Sequence, residues 1–156
     1  MHRRRWGPTP PTGEKNGTKI IALVDGAGVP VSVFITGANT HEVTQIEPVL
    51  RAKVEHQRPD GEQTDENLCA DAGFVGGSPT MLAHGYIPHI RARGDEAKLL
   101  KREPGIKARR WVVEAFFSWL KRCRKVHVRY EKTLLSYWGL VTLACAMIAF
   151  QKAGII

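Results

Sequence analysis

The sequence predicts a mixed α/β protein, a small sheet covered by helices. Three observations carry that expectation. Two β-branched runs flank a glycine-rich turn near the start, short strand-like runs alternate with helical spacing through the middle, and two long helical patterns close the chain.

Residues 1–17 are rich in Arg, Pro, Gly and Thr and have no apolar period, so they read as a solvated basic arm ahead of one domain over 18–156. Lys19 to Asp25 and Val29 to Thr36 are the two β-runs, and Gly26-Ala27-Gly28 between them marks a hairpin. Asp25 stands before Gly26, and Asp-Gly is a common turn pair, so it reads as a turn residue. A turn through Thr40 then opens a helix, with Thr40 as its cap and Val43, Ile46, Val49, Leu50 and Val54 at helical spacing.

His56 to Glu66 is a polar loop. Asn67 to Asp71 is a short apolar strand ending on a carboxylate, followed by a helix over Ser78 to His84 and a strand over Tyr86 to Ile90. Arg91 to Gly105 is charged, contains Pro104 and reads as an exposed loop. Helices are expected over Lys107 to Val126 and Leu134 to Gln151.

With 156 residues, 43% hydrophobic and 24% charged, the chain has enough length and apolar content for one globular core. Its 23 Lys and Arg against 15 Asp and Glu give a formal charge of +8, which favours a polyanionic partner such as nucleic acid. Cys69, Cys123 and Cys145 are odd in number and far apart, so neither a zinc pair nor a disulfide framework is expected, and a reducing cytoplasm fits best. The basic start lacks a following apolar run, so it is not read as a signal peptide. The closing apolar stretch is interrupted by Ser136, Gly139, Thr142, Gln151 and Lys152, and a buried terminal helix is expected there with no membrane partner.

Two acids stand out. Asp71 lies where an apolar strand stops, the position where α/β proteins commonly place reacting groups. The same position suits a turn or cap aspartate, and the local pattern leaves both readings open. Glu114 lies in a helix whose apolar face is made by Val112, Val113, Phe116, Phe117, Trp119 and Leu120. At ~100° per residue, Lys107, Arg110, Ser118, Lys121 and Lys125 all fall within about 40° of Glu114. An exposed Arg110–Glu114 pair would explain the acid, and so would a site where a metal and a phosphate meet. Trp111, Phe116, Phe117 and Trp119 follow a helical apolar pattern and are expected in the core. His41 has no evident partner, and His84, His89 and His127 show no ligand spacing.

Asp71-Ala-Gly-Phe74 resembles the D-x-G-[FY] motif of insertion-sequence transposases, and Arg110-(three)-Glu114-(six)-Lys121 resembles their R-(3)-E-(6)-K motif. With the text around them, the chain resembles the IS4/IS5-type DDE transposases over nearly its whole length. That resemblance implies a ribonuclease-H-like mixed sheet flanked by helices, here lacking its first strand. It implies three carboxylates holding two Mg²⁺ or Mn²⁺ ions for DNA cleavage and strand transfer. Asp71 would be the second acid and Glu114 the third, both catalytic and metal-binding, while Arg110, Lys121 and Lys125 would contact DNA.

The family's first Asp stands ahead of the Gly17-Thr18-Lys19 run, and this chain has no acid there except Glu14. The resemblance therefore implies a partial chain, degenerate or read from the second of two frames. Its expected partners are DNA, as transposon ends and target, and either a second copy or an upstream-frame product. An inactive DNA-binding remnant is the alternative, and a fragment left unfolded by its missing strand is a third possibility.

Overall fold

The computed structural model describes residues 17–53, 66–90 and 111–155. Residues 1–16 of the basic arm, residues 54–65 with all of the polar loop but Glu66, the charged loop and residues 107–110, with Arg110, lie outside them.

Strands β1 (Thr18–Val24) and β2 (Pro30–Gly37) form the expected antiparallel hairpin, with Ile21 opposite Phe34. Asp25 is the turn residue that the sequence implies. Its Oδ1 accepts hydrogen bonds from the backbone N–H of Ala27 at 2.9 Å and of Val29 at 2.8 Å. Gly28 closes the turn with φ +84°, a left-handed conformation that side-chain-bearing residues rarely adopt.

The next segment differs from its prediction. A 3₁₀ turn over Glu42–Gln45 precedes a short helix α1 (Ile46–Arg51), and Thr40 does not cap it. The physical reason is Pro48, whose missing N–H cannot bond back to the 3₁₀ turn, so the α-helix starts only at Ile46. Thr40 instead receives the Thr36 hydroxyl at 3.0 Å. Ile46, Val49 and Leu50 are buried as their spacing implies. The buried Ser32 hydroxyl donates to the Val49 carbonyl at 2.8 Å and pins α1 to the hairpin.

Strands β3 (Glu66–Ala70) and β4 (Tyr86–Ile90) pair in parallel, and the crossover between them carries α2 (Ser78–Ala83). Lys53 ties the end of α1 to this pair, bonding Tyr86 Oη at 2.6 Å and Glu66 at 3.4 Å. Ile46, Leu50, Met81 and Tyr86 form one buried cluster, joined by Leu23 of β1 and by Leu68 and Ala70 of β3. Among the described residues the strands make two separate two-stranded sheets rather than one mixed sheet, and this cluster is what joins them.

Helix α3 (Trp111–Arg122) buries Val112, Phe116 and Leu120, one residue per turn. The aromatic expectation holds for Phe116 at 2% exposure but not for Trp111 or Trp119, which are 63% and 40% exposed. Trp119 lies under the Arg122 guanidinium at 4.5 Å instead of entering the core. The single helix expected to Val126 stops at Arg122. Cys123 is extended, with ψ 96°, and a separate turn α4 (Arg124–His127) follows.

Helix α5 (Leu134–Lys152) starts on Thr133, whose side chain accepts from Ser136 N at 3.2 Å. It is long and apolar enough to cross a membrane by length and composition alone. Its Tyr137, Val141, Ala144, Cys145 and Ile148 pack with Phe116, Leu120 and Val126 against the hairpin. The burial is one-sided, because Leu135 and Leu143 on the far face are 75% and 60% exposed. Arg129 locks this corner, donating to Thr18 Oγ1 at 2.7 Å and lying over the Tyr137 ring at 5.4 Å.

Candidate functional site

Asp71 follows the last residue of β3 and is exposed. Its Oδ1 accepts the Gly73 N–H at 2.8 Å, so it caps the 3₁₀ turn Ala72–Phe74. The two readings of its position are thus compatible: the cap fixes the carboxylate's orientation while leaving the residue at the surface. A cap on a strand end holds a side chain more firmly than a free loop would.

The residue that shares this corner is Glu42, from the 3₁₀ turn ahead of α1. A Cβ placed on Gly73 would overlap the Glu42 carboxylate and lie 3.1 Å from Asp71 Oδ1. Both carboxylates therefore close on the same glycine. Glu42 is also bound to Lys19, with Nζ to Oε1 at 3.0 Å and both side chains about one-third exposed. Lys19 also reaches the Thr40 carbonyl at 3.4 Å, so β1, the 3₁₀ turn and the Asp71 corner are joined. No local pattern could have found this, because Glu42 and Gly73 meet only through the fold.

Glu114 lies in the first turn of α3 and is exposed. Helical geometry sets Ser118 and Lys121 on the same outward stripe. The break at Cys123 removes Lys125 from that stripe, although Lys125 is exposed on α4. Arg110, the expected partner of Glu114, lies outside the described residues. The hairpin tip fixes the start of this helix: a methyl group on Gly28 would stand 3.5 Å from Val112 Cγ1 and from Lys152 Nζ.

Among the described residues, no three His, Cys, Asp or Glu side chains group closely enough to hold a metal ion. Carboxylate oxygens are the donors that hard divalent cations prefer, but Asp71 and Glu114 do not complete such a site by themselves.

A family model for the transposase DDE domain matches residues 2–148. The chain belongs to the DDE transposases. It is 28% identical over 159 residues to a Burkholderia cepacia protein described as "Putative transposase for insertion sequence element IS402", with 95% of this chain and 72% of that protein covered. It is 29% identical over 133 residues to a Brucella ovis protein described as "Putative transposase for insertion sequence element IS6501", with 84% and 96% covered. No solved structure gives a significant match. The mixed α/β architecture of small sheets flanked by helices is compatible with the ribonuclease-H-like fold expected of a DDE transposase.

Proposed function

We propose that this transposase chain is a partial catalytic domain that acts on DNA in the cytoplasm, supplying Asp71 and Glu114 to a divalent-cation centre for phosphodiester cleavage and strand transfer. The observation that carries the reading is the family match over residues 2–148, together with both motif acids standing exposed on ordered elements. Mg²⁺ or Mn²⁺ would supply the positive charge that such a displacement needs, and holding it requires a further donor beyond the described residues. The Gly73 N–H holds the Asp71 carboxylate in one orientation. Lys121 offers a point charge to a DNA phosphate on the Glu114 stripe, Lys125 adds another from α4, and Arg110 would add a guanidinium fork.

A second reading is favoured by the absence of a three-donor group among the described residues. In it the chain binds DNA and does not cut. Plasmid nicking with Mn²⁺ separates the two. Cleavage that disappears in Asp71→Ala and in Glu114→Ala supports the first, whereas salt-sensitive binding without cleavage at any Mn²⁺ concentration supports the second.

A further inference from the structure

Asp71 caps its 3₁₀ turn through a hydrogen bond from the Gly73 N–H to Oδ1 at 2.8 Å. A carboxylate at the surface has three staggered χ1 wells open to it, and a single exposed bond holds it in one of them only weakly. The donor, moreover, sits on glycine, the residue with the most backbone freedom. For the Asp71 carboxylate to keep one direction, something must hold Gly73 still.

Glu42 is placed to do this. A Cβ on Gly73 would overlap Glu42 Oε2 and lie 3.1 Å from Asp71 Oδ1, so both oxygens stand on the same side of the glycine. Glu42 thus fills the space into which Gly73 would otherwise turn. Two carboxylates on one glycine repel each other, and Glu42 needs its charge matched to stay there. Lys19 matches it, donating to Glu42 Oε1 at 3.0 Å and to the Thr40 carbonyl at 3.4 Å. Lys19 stands on β1 opposite Thr36 of β2, whose hydroxyl bonds Thr40 Oγ1 at 3.0 Å, so the brace is founded on the hairpin.

Magnitude decides what the Lys19–Glu42 pair is for. Both side chains are 30% exposed, and pairs this open to water add little to global stability. Its effect is local, on the glycine whose N–H aims Asp71. Groups that orient a metal ligand from behind commonly change metal affinity about 10–100-fold without touching the ion. We propose that Glu42, held by Lys19, is a positioning residue for Asp71 and fixes the direction of its carboxylate toward a divalent cation. This rests on the reading of Asp71 as a metal ligand, but the orientation itself can be measured without metal.

Three-bond Hα–Hβ couplings, measured by NMR on the isotope-labelled full chain, report whether an aspartate keeps one χ1 rotamer. Asp25 is the internal control, because its Oδ1 accepts the Ala27 and Val29 N–H groups in the hairpin turn. Wild-type Asp71 and Asp25 should each show one rotamer. Glu42→Ala and Lys19→Met should average the Asp71 couplings and leave those of Asp25 as they are, while Lys19→Arg keeps the wild-type pattern. Affinity for Mn²⁺, read from the free ion by electron paramagnetic resonance, should fall about 10–100-fold in Glu42→Ala and Lys19→Met. Asp71 couplings already averaged in the wild type, or unchanged by Glu42→Ala, overturn the proposal. So does averaging at Asp25 as well, which would report a general loosening, or Mn²⁺ affinity that stays the same when the Asp71 couplings average. If Glu42→Ala does not fold, Lys19→Met decides, and unchanged Asp71 couplings there count against the brace. A wild-type chain that binds no Mn²⁺ would sink the metal reading of Asp71, while the couplings would still decide whether Glu42 orients it.

Discussion

Gly73 occupies a position in the Asp71 corner where a side chain has no room. The sequence motif made the glycine visible, but not its cause, which is the Glu42 carboxylate arriving from a distant turn. Gly73→Ala should destabilise the fold by about 1–3 kcal/mol, the usual cost of forcing extra volume into a packed position. Chemical denaturation should show most of that loss relieved when Glu42→Ala is added, since the two effects share one contact. Cysteine chemistry is decided at the same scale. Burial pushes the Cys145 thiol up to about 11, so it stays protonated and unreactive at pH 8, while Cys69 is exposed. Iodoacetamide at that pH should label Cys69 in the native chain and reach Cys145 only after denaturant is added.

At the scale of elements, strand and helix type followed from local pattern and boundaries did not. The hairpin, β4 and α5 lie within a residue or two of their predicted spans because β-branched alternation and a long apolar run specify them locally. The end of α3 was hidden because its apolar pattern continues past Arg122. A continuous helix would carry Val126 to about 80° from the line through Phe116, at the flank of the buried face. Turning at Cys123 brings Val126 to 5% exposure, and Tyr137 Oη then donates to its carbonyl at 2.8 Å. Tertiary burial thus overrides helical continuity. Tyr137→Phe removes that bond and leaves the carbonyl unpaired, so it should cost about 1–3 kcal/mol in a thermal or urea melt. The exposed Trp111 and Trp119 were misjudged for a related reason: periodicity ranks positions around a helix but does not say how wide the covered face is.

For the molecule as a whole, the two hydrophobic clusters matter more than the two sheets. Ile20, Ala22, Val24, Val33 and Ile35 of the hairpin back one cluster while Leu23 enters the other, so the β1–β2 hairpin has a face in each. The net charge also acts at this scale. If basic groups on α3 and α4 meet DNA phosphates, binding should weaken steeply as salt rises. Lys121→Ala and Lys125→Ala should then each reduce the slope of log K against log salt by about 1. Unchanged slopes in both variants would place the DNA contact elsewhere. The mixed α/β class, the strand-end place of Asp71 and the helical place of Glu114 were legible from sequence. The grouping of Glu42 with Asp71 was not, because it depends on how β1 lies against the crossover.

The turn at residues 25–29 has a practical bearing on any modified form of this protein. Surface hairpin turns are the usual place to graft an epitope, split a chain or join new termini, because little else depends on them. Here the tip stands against Val112 at the head of α3 and Lys152 at the foot of α5. Grafted residues at this turn would wedge both helices outward and shift Glu114 with them. The exposed end of α2, at Leu82, is the safer place for a graft, since Leu82 is 60% exposed, provided Gly85 with its φ of +80° is kept.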